Sequence, residues 1–179
     1  TCDDTARTTQ KELSCFGSTV RMIDALRKKQ ISSEELVKLH LERIHKIDPA
    51  INALVGSCAG ALDLARESDT KRMAGEVCGP LHGVPISIKD NLYVKDSRTT
   101  FGSRLHEQDV TSEDAPITER LRQAGAIILG RTNTPEFGWK GVTDNLVFGI
   151  TRNPWNLDLT PGGSSGGAVD RNQTESRRR

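Results

Sequence analysis

The sequence predicts an α/β chain in which a helical N-terminal layer precedes a parallel sheet, and three stretches carry that reading. SSEELVKLHLERIHKI opens with a capping-box spacing, Ser32 then Glu35, and repeats Leu36, Val37, Leu41, Ile44 and Ile47 at helical intervals. GPLHG supplies turn residues ahead of the short β-rich run Val84 to Ile88. Asp114 then stands as a cap before ITERLRQA, Gly125 sits where a helix ends in a left-handed turn, and AIILG reads as a fully buried strand. Strand, helix, strand is the order of a parallel α/β unit.

Taken in chain order, helices are expected around Thr19 to Lys29, from Ser32 until Pro49, and around Ala59 to Met73. This first third carries few groups capable of chemistry and reads as scaffold. The character changes at Gly79. Lys89 and Asp90 end the first predicted strand, and in open α/β sheets chemistry gathers beyond the carboxyl ends of the strands.

Composition excludes several classes. The 179 residues are one domain's worth, and 35% hydrophobic content with a formal net charge of +1 fits neither a disordered acidic tail nor a basic nucleic-acid binder. Cys2, Cys15, Cys58 and Cys78 show no C-x-x-C spacing and no grouping with histidine, so neither a zinc site nor a redox pair is indicated. Read as reduced thiols, they favour a cytoplasmic location. No apolar run reaches bilayer length, and TCDDTARTTQKE is too polar for a signal peptide. Thr1 in place of an initiator Met reads as a processed, partial or cut sequence.

TPGGSSGGA is the stretch richest in candidate chemistry. Gly162 and Gly167 have the glycine spacing of a phosphate loop, but Ala168 and Val169 stand where that loop needs Lys and Ser or Thr, which argues against nucleotide binding. G-x-S-x-G fits twice, at Gly162-Ser164-Gly166 and Gly163-Ser165-Gly167. Pro161 interrupts the strand a nucleophile elbow requires, and no acidic residue followed by histidine comes later. Taken alone, the loop is no more specific than a flexible linker.

GPLHGVPISIKDN, RQAGAIILGRTNTPEFGWKGVTDN, FGITRNPWN and TPGGSSGGA, in that order, closely resemble the amidase signature family of amide hydrolases, over most of Ser18 to Val169. The resemblance implies a mixed, largely parallel sheet covered by helices, incomplete here. The segments it implies are a polar 1–17, a partial amidase signature domain at 18–169 and a non-homologous polar tail at 170–179. It implies hydrolysis of a small-molecule carboxylic amide to acid and ammonia or amine by a Ser-cisSer-Lys triad, without metal or cofactor.

By motif, Lys89 matches the triad lysine and Ser164 the middle serine beside a cis peptide bond. Ser165, Gly162 and Gly163 match the loop and substrate support, and Thr143, Asp144 and Asn145 fall in a segment the family places near substrate. Asp90 is left between shaping the site and forming a turn, His82 reads as structural, and Trp139 and Trp155 as packing or pocket wall. Family members carry the nucleophile and oxyanion donors on a second glycine-serine loop. DRNQTESRRR does not match it, Ser176 included, so the resemblance implies a chain without turnover of its own. It also implies exposed core surface and self-association through it. Alternatives are the amidase subunit of a glutamyl-tRNA amidotransferase and a non-catalytic remnant or binding module. Asn172-Gln173-Thr174 is a sequon by pattern only.

The chemistry explains the residue types. Serine attacks an amide only after losing its proton, and lysine accepts one only when neutral. From about 10.4 its pKa must fall by roughly three units, about 4 kcal/mol, for lysine to be largely neutral near pH 7, and burial is the available cause.

Overall fold

The computed structural model describes residues 17–76 and 78–168. Cys2, Cys15, Ser176, the sequon and the 170–179 tail lie outside these residues, as does nearly all of the polar N-terminal segment.

Helix α1, Thr19–Arg27, is capped by Ser18, whose hydroxyl accepts from Arg21 N at 3.3 Å. Helix α2, Ser33–Ile51, begins with the complete capping box: Glu35 N donates to Ser32 Oγ at 3.0 Å and Ser32 N to Glu35 Oε2 at 2.9 Å. The helix runs past Pro49, where the sequence pattern ends it. A proline this close to a helix end removes one amide donor from the final turns, a loss the tertiary setting offsets. Asn52 adopts the left-handed cap, and the Asp48 carboxylate accepts from Ala53 N and Leu54 N at 2.8 Å each, turning the chain into strand β1, Leu54–Ser57.

Helix α3, Ala61–Met73, packs beside α2. Strand β2, Pro85–Lys89, helix α4, Pro116–Gln123, and strand β3, Ile127–Thr132, form the expected parallel unit, with Pro85 opposite Ile127 and Lys89 opposite Thr132. The cap of α4 is corrected. Ala115 is the N-cap with Pro116 as the first helical residue, while Asp114 accepts from Lys95 N at 2.7 Å and pairs with Arg122 Nε at 2.8 Å. Proline loses nothing at a first helical position, where the amide has no intrahelical partner.

Strand β1 has no counterpart among the predicted elements. It pairs antiparallel with β3, giving the order β1-β3-β2, so the sheet is mixed. Gly130 permits the pairing, since a Cβ there would stand 2.4 Å from Gly56 O. Two further short strands, β4 (Asp144–Asn145) and β5 (Gly149–Ile150), form a hairpin.

Val37, Ala61, Ala65, Ile127 and Leu129 join α2 and α3 to one face of the sheet, and Ile88, Val94 and Ile128 form a second cluster. Burying a side chain of the Val or Leu class is worth about 1.5–3 kcal/mol, so these contacts fix where β2 ends and therefore where Lys89 sits. His82 Nε2 bonds Ser68 O at 2.8 Å, tying the turn before β2 to α3. No helix among the described residues is long and apolar enough to cross a membrane.

Candidate active site

Lys89 is the last residue of β2. Its half-buried side chain extends beyond the sheet, and Nζ donates to Ser164 Oγ at 2.8 Å and to Ser165 Oγ at 3.0 Å. Burial pushes the Lys89 amine below the ordinary lysine range by penalising its ammonium form. The three side chains that the sequence assigns to the site from two distant motifs therefore stand together.

The serine loop is held on its far side by Thr143. This residue is buried, its Oγ1 donates to Gly162 O at 2.9 Å, and the same oxygen accepts from Gly166 N at 2.9 Å. Thr143 O accepts from Thr151 N at 2.9 Å, fixing the threonine to the residue just after β5. Gly162 has a φ of +91° and the Gly163–Ser164 peptide bond is cis. A Cβ at Gly163 would approach Val142 N to 2.7 Å, so only glycine fits the contact between the loop and the 142–143 backbone.

Asn145 also bonds to scaffold. Its Nδ2 donates to Asn133 Oδ1 at 2.7 Å and Thr134 O at 2.8 Å, and its Oδ1 accepts from Val147 N and Phe148 N. Asp144 turns outward to an ion pair with Lys140 at 2.7 Å. Gly138 lies beside the serines, where an added Cβ would be 3.9 Å from Ser164 Oγ, but the neighbouring Trp139 is 77% exposed and is not packed as core.

Behind Lys89 the structure places an ion pair that sequence reasoning missed. Arg131 Nη2 and Asp90 Oδ1 are 3.3 Å apart, both side chains 2% exposed. Thr100 Oγ1 donates to Asp90 Oδ2 at 2.5 Å. Burial raises the Asp90 carboxyl, opposed by Thr100 and Arg131, and lowers the Arg131 guanidinium, opposed by Asp90. The only sequence signal was a charged residue at the end of an otherwise apolar run.

Among the described residues no group of three or more His, Cys, Asp or Glu could hold a metal ion. The arrangement offers one amine and two hydroxyls, a set suited to moving a proton.

Comparison with known proteins agrees with this geometry. The Amidase family model matches residues 35–169. The chain is 48% identical over 141 residues to a glutamyl-tRNA(Gln) amidotransferase subunit of Synechococcus sp. (strain CC9605), covering 78% of this chain and 29% of that protein. It is 43% identical over 152 residues to indoleacetamide hydrolase of Bradyrhizobium diazoefficiens, covering 84% and 29%. A solved bacterial aryl acylamidase of the amidase signature enzymes superimposes with a TM-score of 0.80 at 34% identity, covering 86% of this chain and 32% of that one. The chain thus spans about three-tenths of the length of the relatives it matches. With a family model matching three-quarters of its length and a mixed sheet that superimposes on a family enzyme, the chain belongs to the amidase signature family.

Proposed function

We propose that this chain carries the base and the proton relay of an amide hydrolase, with Lys89 as base, Ser164 as relay and a small-molecule carboxylic amide as substrate. The observation that carries the reading is the 2.8 Å contact from Lys89 Nζ to Ser164 Oγ. As an ammonium, Lys89 donates across it; as a neutral amine, it accepts the Ser164 hydroxyl proton across the same gap. Ser164 then takes the proton of an attacking serine, whose oxygen bonds to the amide carbon. When the tetrahedral intermediate collapses, the C–N bond breaks and the proton returns through Ser164 to the nitrogen, which leaves as ammonia or amine. Water releases the acid from the acylated serine by the same relay.

We assign the functional unit to residues 18–169, the flanks 1–17 and 170–179 to polar segments, and the protein to the cytoplasm, acting on a small molecule and not directly on nucleic acid. Ser165, Gly162, Gly163 and Thr143 are read as loop support, and Asp144 and Asn145 as the wall behind it. The sequence contains one glycine-serine loop, so the 179-residue chain by itself is expected to leave amides intact. Exposed Leu105, Trp139 and Leu146, at 81%, 77% and 75%, support self-association.

The 48% identity with an amidotransferase subunit favours a second reading, in which the same pair releases ammonia from glutamine for a partner subunit. The third is a non-catalytic remnant or binding module. A chimera separates all three: residues 18–168 replace the matching segment of the indoleacetamide hydrolase. Hydrolysis of aryl or indole amides supports the first reading, and glutamine hydrolysis alone the second. In an active chimera, Lys89→Ala or Ser164→Ala should lower kcat by about 10²–10⁴-fold. A folded chimera inactive on every amide contradicts both catalytic readings and leaves the third.

A further inference from the structure

We propose that Arg131 is the positioning residue for Lys89, acting through the backbone at the end of β2. The inference rests on Lys89 being the base. Arg131 is the penultimate residue of β3, opposite Ile88 in the parallel register, and therefore one step behind Lys89. Its Nη2 gathers three oxygens from the four residues 89–92: Lys89 O at 3.3 Å, Asp90 Oδ1 at 3.3 Å and Leu92 O at 2.5 Å. Leu92 N donates to Lys89 O at 3.1 Å, so these oxygens belong to one tight turn, and the guanidinium sits across it. Asp90 is held from its other side by Thr100 N and Oγ1.

Two features separate this from ordinary packing. A buried guanidinium is costly unless closely matched, and an apolar residue in a strand would fill the same space without that cost. Room is also made for it: Gly56 stands opposite Arg131 on β1, and a Cβ there would meet Arg131 Cγ at 3.4 Å. The pair fastens the turn immediately after the residue whose amine must stay within reach of Ser164. All three contacts are made by the one nitrogen Nη2, set at the end of a rigid guanidinium plane; lysine keeps the charge but carries it on a flexible stem. The titratable groups bearing on Arg131 from neighbouring elements are Asp90, Cys58 just after β1 and Asp114 just before α4. Those bearing on Cys58 add Arg122 of α4.

The test is competitive acetylation of the unaltered chain and of Arg131→Lys with trace acetic anhydride from pH 6 to 11, each lysine quantified by mass spectrometry. This reads the protonation midpoint and reactivity of Lys89 in dilute protein. In Arg131→Lys, folded by circular dichroism, the Lys89 midpoint should rise by about one pH unit, a tenfold loss of neutral amine below the midpoint. Arg131→Met, which also deletes a cation and leaves Asp90 without its counter-ion, should raise it at least as far. An unchanged midpoint in either folded variant overturns the proposal while leaving Lys89 as base. An ordinary lysine midpoint in the unaltered chain instead removes the base reading beneath it. Should neither variant fold, phenylglyoxal modification of the unaltered chain decides. In urea just below the unfolding transition, Arg131 modified in step with loss of the Lys89 shift supports the proposal. Arg131 modified with that shift intact overturns it.

Discussion

Lys89 and Ser164 are 75 positions apart in sequence, yet their Nζ and Oγ atoms are 2.8 Å apart. Neither residue is placed by its own neighbours alone. The parallel pairing of β2 with β3 sets the height of Lys89 at the sheet end, and Thr143 sets the serine loop against it through two hydrogen bonds. A contact built from three separate elements depends on each.

Thr143→Val keeps the shape of the buried residue and deletes its hydroxyl, leaving Gly162 O and Gly166 N without that partner. Orphaned buried polar groups cost about 1–3 kcal/mol each, so urea unfolding should show a loss on that scale. Thr143→Ser, which keeps the oxygen, should retain most of the stability. Unchanged stability in Thr143→Val with a loss in Thr143→Ser would place the contribution in the methyl group instead.

Gly163→Ala should destabilise the loop, because the new Cβ would meet backbone N, C and O of Val142 at 2.7, 2.8 and 2.8 Å, atoms that no rotamer change can move. Overpacking of this kind typically costs about 1–3 kcal/mol. The urea midpoint measures it, and wild-type stability in the alanine variant would mean that the loop stands farther from residue 142.

Much of this was legible in the sequence, and the exceptions have physical reasons. The capping box at Ser32 and Glu35 and the buried run before Arg131 are local signals, and both elements form where expected. Lys89 and Ser164 stand out through ordered motifs; neither alone differs from a strand-end lysine or a linker serine. Strand β1 gives no signal because LVGS is four residues long, contains glycine and pairs with a strand that begins only at Ile127. Asp114 reads as a cap because it precedes a helix, whereas its carboxylate is claimed by Lys95 N and Arg122. Arg131 escapes notice because its counter-ion lies 41 positions away, and a charge at a strand end ordinarily reads as solvated.

Lys89→Met should stabilise the chain, and the gain should depend on pH. The folded-state pKa of Lys89 is lowered by burial relative to the unfolded chain, so between the folded midpoint and about 10.4 the unfolded state binds more protons. Stability of the unaltered chain therefore rises with pH across that window. Below it, the folded state bears the cost of a half-buried ammonium. The advantage of Lys89→Met in urea should be largest at pH 6–7 and shrink toward pH 10; a gain independent of pH would attribute it to packing alone.

The central claim is that Lys89 serves as a base toward Ser164, and the protonation midpoint of Lys89 in the unaltered chain tests it most directly. Competitive acetylation resolved by mass spectrometry should place that midpoint well below the ordinary lysine value of about 10.4, with Lys89 reacting ahead of the exposed lysines near neutral pH. A midpoint at the ordinary value in the folded chain would contradict the claim, because an ammonium at 2.8 Å from Ser164 Oγ can hold that hydroxyl but cannot take its proton.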